Sequence, residues 1–348
     1  MTFVSITVCV RDGVDWVDGC IESLIEQTHR PLEIIVVDDG SIDGSRGKVE
    51  SWQEHELVST ILQEPLGLSA ARMAAVNQAK GEWVAITDID VRPEPDWIEN
   101  LLLASEPLEG ENIVAITGRT VFNRGDDTIS IIRSSEVEAK YRSRSRLTTL
   151  ANGPCSMFRK EELLAIGGFN PQWYHAEDME VSLKLIAAGG VIIYTPRAIV
   201  NHVPETGLKR FLGKRLRDIR AHVRIVRHFP SRMRRGPGFD FIGSSWLVLL
   251  GLPAHVLLMA ALFIIASAFT AGGMNEIVNG VNAKAMMILL VIYLTWFLLL
   301  LRNNIIQTML RRPITTPIVI ISWSIALWLG LILGLVDAML QRRGHGAR

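Results

Sequence analysis

Residues 82–90 read Glu82-Trp83-Val84-Ala85-Ile86-Thr87-Asp88-Ile89-Asp90, and after Val91 the pattern breaks at Arg92-Pro93-Glu94-Pro95. An apolar run that meets proline reads as a buried strand of a parallel sheet. Asp88 and Asp90, one residue apart at the carboxyl end of that strand, stand where open α/β sheets bind ligands. Carboxylates so placed suit a hard divalent cation, Mg2+ or Mn2+, that also touches substrate phosphates. Taken alone, Asp-x-Asp is a strand end capped by solvated acids, so the rest of the chain decides.

The 348 residues are 49% hydrophobic with a formal net charge of zero, enough for two domains and a sizeable core. Hydrophobicity is unevenly placed. Residues 1–235 have the composition of a soluble protein, and from Phe241 charge almost vanishes. Cys9, Cys20 and Cys155 show neither paired spacing nor Cys-x-x-Cys, which argues against a disulfide framework and a zinc site. No basic-then-apolar leader precedes the first strand, so the N-terminal half is expected in the cytosol.

Working outward, Val4–Val10 is β-branched and apolar, a first strand. Val14, Val17, Ile21, Leu24 and Ile25 recur at helical spacing. Residues 33–37 form a second strand ending in Asp38-Asp39-Gly40-Ser41, and residues 44–54 a further helix. Residues 58–62 form a short strand, and the Ala-rich helix 68–79 leads into the 82–90 strand. This alternation predicts a parallel sheet with right-handed crossovers.

VVDDGSIDGS, GLSAARMAAVNQAKGEWVAITDID, GPCSMFRKEELLAIGGF and AEDMEVSLKLIAAGG occur in this order over roughly residues 3–205. In that combination the chain resembles glycosyltransferase family 2, with the GT-A fold: an α/β, doubly wound mixed sheet. One departure is Cys9-Val10-Arg11-Asp12, where the family usually shows Pro-Thr-Tyr-Asn or similar. It leaves open which side chains flank the base.

The resemblance assigns roles. Asp39 accepts the N3 hydrogen of a uracil ring, although Asp-Gly-Ser is also turn chemistry. Arg72 meets the nucleotide diphosphate, although arginine also snorkels along ordinary helix surfaces. Asp90 holds the cation directly and Asp88 holds ribose or water. Residues 152–159 line the acceptor and donor-sugar pocket. Asp178 is the general base that takes the acceptor's proton, giving inversion at the anomeric carbon. Glu177 beside it caps the helix dipole or supports the acceptor side. His202 completes the metal site, or is an ordinary hydrogen-bonded histidine.

Residues 206–235 carry eleven Lys and Arg against one acid, Asp218, with apolar residues at roughly helical spacing. Such an amphipathic segment is expected at the membrane surface. Arg215, Arg217 and Arg220 are then candidates to bind the phosphate of a lipid-linked acceptor. Nucleic acid is a poorer account of the charge, because no reading domain accompanies it. About three apolar segments follow, at 241–270, 285–301 and 314–340, each long enough to span a bilayer. Trp296, Trp323 and Trp328 are placed to position these helices. Arg302, Arg311 and Arg312 look cytosolic by charge, which sets the basic tail 341–348 outside and against the same rule.

The expected organisation is a cytosolic domain over 1–205, an interfacial segment over 206–240 and a membrane region over 241–340. The expected activity is cation-dependent, inverting transfer from a nucleotide sugar to a lipid-linked acceptor at the inner membrane. A polyprenyl phosphate acceptor and a catalytically silent scaffold are the alternatives. The lack of a Gly-rich phosphate loop near the N-terminus disfavours a nucleotidyltransferase. The Gln-x-x-Arg-Trp of the family's processive synthases is missing after Asp178, which points to one sugar per encounter. A homo-oligomer is left open.

Overall fold

The computed structural model describes residues 1–107, 110–142, 144–173, 175–234, 245–270, 281–300 and 306–340. The tail 341–348, Arg302 and residues 235–244, on which parts of the membrane expectation rest, lie outside the described residues.

Strands β1 (Val4–Val10), β2 (Leu32–Asp39), β3 (Val58–Gln63) and β4 (Trp83–Asp88) run parallel in the order β3-β2-β1-β4. Helices α1 (Val17–Ile25), α2 (Ser45–Ser51) and α3 (Leu68–Gln78) make the crossovers. After β4 come β5 (Val91–Pro93), α4 (Trp97–Ala104), β6 (Ile113–Phe122), α5 (Thr128–Arg142) and β7 (Leu147–Thr148). Then follow β8 (Ser156–Arg159), α6 (Lys160–Ala165), α7 (Glu177–Ala187) and β9 (Val191–His202). The sheet continues β4-β8-β6-β9-β5, with β8 antiparallel to both β4 and β6. The short β8, with β5 and β7 antiparallel to β9, makes the sheet mixed.

Alternation along β1 shows why the sheet is covered on both faces. Val4, Ile6, Val8 and Val10 join a core with Ile21 and Leu24 of α1 and Trp97 and Leu101 of α4. On the other face Ile35, Val37, Val84 and Ile86 pack on Ala71 and Ala75 of α3 and on Val181 and Leu185 of α7. Small residues at 71 and 75 let α3 lie close to the sheet, which brings the Arg72 side chain to the strand ends.

Helix α8 (Leu208–His228) departs from the sheet and is sandwiched. Ala221 and Ile225 pack on Met179 and Leu183 of α7, while Phe211 and Ile219 pack on Trp323 and Leu327 of the C-terminal helix Thr315–Met339. Burying side chains of this size contributes about 1.5–3 kcal/mol each. The C-terminal helix comes this close because of Gly330-x-x-x-Gly334. A Cβ at Gly330 would stand 2.5 Å from the Leu216 carbonyl oxygen, and one at Gly334 would stand 3.0 Å from Val223. One turn further along the same stripe, Asp337 accepts both Nε and Nη2 of Arg220, the latter at 2.9 Å.

The expectation of about three spans is corrected. Among the described residues one helix, Thr315–Met339, is long and apolar enough to cross a membrane, and the apolar runs Leu247–Phe263 and Met286–Leu299 are shorter. The first expected segment is broken between Ser245–Leu249 and Gly251–Thr270. At that break Leu252 N–H donates to Ser324 Oγ (2.8 Å), and Trp296 and Trp328 donate their indole N–H groups to the Leu247 and Leu249 carbonyls, each at 2.8 Å. The tryptophans thus satisfy interrupted backbone, and Trp323 is fully buried edge-on to Phe211.

Candidate active site

The carboxyl ends of β1, β2 and β4 meet the ends of β9 and α7. β4 delivers Asp88, whose Oδ1 accepts Arg72 Nη2 at 2.9 Å. Asp90 follows in the turn to β5, and the antiparallel pairing of Val91 with His202 sets that imidazole beside it. His202 Nε2 lies 3.4 Å from Asp90 Oδ1. Its Nδ1 is 2.7 Å from the Val203 carbonyl, which can only accept, so Nδ1 carries the proton and Nε2 presents its lone pair to Asp90. The ring stacks on Phe122 at 4.1 Å. Burial pushes the His202 pKa down against the pull of Asp90, favouring neutral imidazole.

A carboxylate oxygen facing an oriented, neutral imidazole fits a divalent cation. Asp90 and His202 are the pair that would hold it. Among the described residues no three His, Cys, Asp or Glu side chains converge on one point. The remaining ligands would come from substrate phosphates and water, as is usual for Mg2+ and Mn2+ sites of this type.

Arg72 sits differently from the sequence expectation. It is 2% exposed, with Nη2 on Asp88 and Nη1 on Glu177 Oε1 at 2.5 Å, and its guanidinium lies 5.7 Å from the Phe169 ring centre. It ties the end of β4 to the start of α7. Glu177, 6% exposed, is the other end of that tie.

Asp178 points elsewhere. Its Oδ2 accepts the Gly153 N–H at 3.1 Å and its Oδ1 the Met179 N–H at 2.8 Å. The carboxylate is partly exposed. Burial, reinforced by the Glu177 charge and opposed by Arg72, pushes its pKa up to about 6. The two residues before α7, His175 (φ 65°) and Ala176 (φ 61°), are left-handed, a conformation that side-chain-bearing residues adopt at a cost. Their strain is held by packing: Ala176 is buried, and His175 Nε2 is 2.6 Å from Asp218 of α8. Burial opposes ionisation of Asp218, but Arg215 and His175 outweigh it and hold its pKa below the usual carboxylate range. The Asn152-Gly153 loop, expected to line the pocket, thus reaches Asp178 through Gly153.

At the opposite end Asp39 accepts Gln63 Nε2 (2.7 Å) and Leu66 N–H (2.8 Å) at Oδ1, and Gly67 N–H (2.9 Å) at Oδ2. Arg11, from the segment that departs from the family pattern, lies 3.7 Å from the same Oδ2.

The basic segment divides. Arg215 pairs with Asp218 at 2.9 Å and Arg220 with Asp337, so both are engaged inside the protein. Arg217 has no ion-pair partner among the described residues. Sequence reasoning passed over Arg210 as a site residue: its Nη2 is 3.7 Å from Asp90 Oδ2 and its guanidinium is 5.1 Å from the Trp16 ring centre. Only its membership of a basic helix marked it.

Residues 5–166 match the family described as Glycosyl transferase family 2. The chain carries a glycosyl transferase family 2 domain. Putative glycosyltransferase EpsH of Bacillus subtilis is 38% identical over 100 residues, 28% of this chain and 29% of that protein. An N-acetylglucosaminyltransferase of Rhizobium sp. is 26% identical over 236 residues, 62% of this chain and 51% of that protein. The matched stretches therefore span about a third to a half of those relatives. Mannosyltransferase PcManGT from Pyrobaculum calidifontis, in complex with GDP-Man and Mn2+, superposes with a TM-score of 0.54 at 20% identity, covering 97% of this chain and 87% of that one. GalNAc-T7 with UDP, GalNAc and Mn2+ superposes at 0.50 and 16% identity, covering 67% and 49%. These likenesses establish the GT-A fold of the glycosyltransferase domain. The family match ends before α7 and β9, so the placement of His202 beside Asp90, and of Glu177 across Arg72 from Asp88, comes from the structure itself.

Proposed function

We propose that this chain transfers a hexosyl group from a nucleotide sugar to a membrane-lipid-linked acceptor, with inversion and with a divalent cation. The setting would be cell-envelope or exopolysaccharide assembly on the cytosolic face of the inner membrane. The observation that carries the reading is Asp178, a carboxylate poised near 6 and held across the Arg72–Glu177 tie from Asp88, Asp90 and His202.

Asp39 sits at the base end, with Oδ2 able to accept a further N–H, which leans toward uridine. Asp90 and His202 would hold the cation, and a cation bound there supplies positive charge to the diphosphate as it leaves. Asp178 takes the proton of the acceptor hydroxyl as that oxygen bonds to the anomeric carbon. The bond from the anomeric carbon to the β-phosphate oxygen breaks, and its electron pair stays on the phosphate. One displacement assisted by one base inverts the centre. Gly153 N–H and Met179 N–H fix the base, and the buried ion pairs of Arg72 keep the two carboxylate groups apart.

The base also discriminates between acceptors. A phosphate monoester is largely ionised at neutral pH and needs no proton removed, whereas a sugar hydroxyl does. Asp178 therefore favours a hydroxyl on a lipid-linked sugar over a polyprenyl phosphate. The test is mass spectrometry of lipids after incubation with a panel of nucleotide sugars. A new glycosidic linkage on a lipid-linked sugar is expected. A sugar joined directly to lipid phosphate would replace this acceptor, and donor hydrolysis without any lipid product would remove it. In calorimetry Asp90→Asn should lose the metal-dependent part of nucleotide affinity, and unchanged metal dependence would move the cation elsewhere.

A further inference from the structure

The residue expected to meet the diphosphate, Arg72, already has two carboxylates and is nearly inaccessible. Asp88, Asp90, Glu177 and Asp178 together make the strand ends strongly acidic, and one bound divalent cation, even with Arg72, does not offset all four. A departing diphosphate gains negative charge and needs positive charge placed in advance. With His202 neutral, the described cations that ion-pair with Asp88 or Asp90 are Arg72 and Arg210.

We propose that Arg210, in the first turn of α8, binds the diphosphate of the nucleotide-sugar donor and stabilises it as it departs. This rests on the donor reading given above. Arg210 stands 3.7 Å from Asp90 Oδ2, too far for a hydrogen bond, and donates none to any described residue. A guanidinium has five N–H donors in a fixed fork suited to phosphate oxygens. This one is 49% exposed, so those donors face water at the cleft rather than protein. Its position is nonetheless defined. Gly207, with φ 83°, starts α8 in a turn that a side chain would strain, and the Trp16 ring lies beneath the guanidinium at 5.1 Å. Trp16 precedes α1, which follows β1, and β1 pairs with β4 through Cys9 and Asp88. The guanidinium thus spans the mouth between the first crossover and the Asp-x-Asp turn. Lys214, one turn along α8, adds positive charge behind it, 3.9 Å from Glu205.

In the transfer step the acceptor oxygen bonds to the anomeric carbon, Asp178 receives its proton, and the electron pair of the broken bond rests on the β-phosphate that Arg210 meets. A role confined to packing on Trp16 would affect mono- and diphosphates alike, whereas contact with the β-phosphate separates them.

The experiment uses the full chain in detergent, with UDP, UMP, GDP and GMP titrated by calorimetry into wild type, Arg210→Gln, Arg210→Lys and Lys209→Gln. For the preferred base, Arg210→Gln should weaken the diphosphate about 10- to 100-fold and leave the monophosphate within about twofold. Monophosphate binding also reports that the variant is folded. Arg210→Lys should restore part of the loss, because a point charge replaces a fork. Lys209→Gln, which removes an exposed neighbouring charge, should leave the ratio unchanged. Equal weakening of both nucleotides by Arg210→Gln, or an unchanged diphosphate affinity, removes Arg210 from the donor site. Wild type that binds none of the four overturns the donor reading itself, and this proposal with it.

Discussion

Two arginines, Arg72 buried and Arg220 half-buried, hold the two halves of this molecule, and they do so to different ends. In the cleft Arg72 bridges Asp88 and Glu177, both offered by element ends whose neighbouring acids, Asp90 and Asp178, make no ion pair with Arg72. In the helical layer Arg220 meets Asp337 through two donors, beside the close contact of Gly334 with Val223 and Arg220. The first pairing leaves carboxylates exposed to chemistry, and the second closes a seam. The same residue types therefore carry different meaning, according to what stands one position away.

The sharpest way to break this contrast is at the base. Asp178→Asn should lower turnover by about 10²–10⁴ and leave nucleotide affinity almost unchanged. Glu177→Gln should be milder, because Arg72 keeps Asp88. Transfer rates and calorimetry on both variants decide it: an active Asp178→Asn beside a dead Glu177→Gln would mean that the wrong acid has been assigned.

The seam should answer in stability instead. Gly330→Leu forces side-chain atoms against the Leu216 backbone and should cost about 1–3 kcal/mol. Arg220→Ala leaves Asp337 without its bidentate partner and should cost a similar or smaller amount, since the Arg220 side chain keeps 20% exposure. Denaturant melts read both, and retained nucleotide binding would show that the seam and the cleft are separable. A Gly330→Leu variant as stable as wild type would mean that the two helices are not locked in this contact.

A smaller effect follows from pH. Because the Asp178 pKa is raised to about 6, the proposed base is ionised above that value and is lost as pH falls through it. Transfer should drop about tenfold per pH unit below 6 and be flat above it. A limb near 4 would place the base in a solvated setting. The smallest expected change is at Arg217, the residue of the Arg215, Arg217 and Arg220 trio that lacks a partner among the described residues. Arg217→Ser should weaken use of a lipid acceptor about fivefold and leave donor binding alone, as one surface cation near anionic headgroups would. If Arg215→Ser affects only the lipid acceptor and leaves stability intact, the Arg215–Asp218 pair is not structural.

The sequence was most readable where signals are local. Strand ends that run into Asp88-Ile89-Asp90 or Asp38-Asp39-Gly40 announce themselves, and so does a helix that opens with Glu177-Asp178. The sheet over β1 to β4 follows from this. β8 was read only as part of the pocket lining at residues 152–159, because four residues carry too little periodicity to reveal an antiparallel insertion. The commitment of Arg72 and Arg220 was invisible, since Glu177 and Asp337 lie 105 and 117 positions away, whereas Arg215 meets the nearby Asp218 on its own helix. Two clues were present all the same: a single acid, Asp337, in an apolar run, and Gly330-x-x-x-Gly334 one turn before it. Both say that one face of that helix meets protein. The span count failed for a related reason, since apolar length alone does not distinguish a helix broken at Leu250-Gly251 from a continuous one.

Helix α8 touches the cleft through Arg210 and, by Arg224 Nη2 on the His175 carbonyl at 2.6 Å, the loop that aims the base. The same helix is clamped along Leu216, Arg220 and Val223 to the C-terminal helix. Fourteen residues of helix separate Arg210 from Arg224, about 21 Å of rigid rod. Where the C-terminal helix is seated in a bilayer, this rod acts as a gauge, setting the cleft at a constant height above the lipid. Acceptors would then be sorted by stature as well as by chemistry, and a hydroxyl carried too near to or too far from its lipid phosphate would pass the base without meeting it.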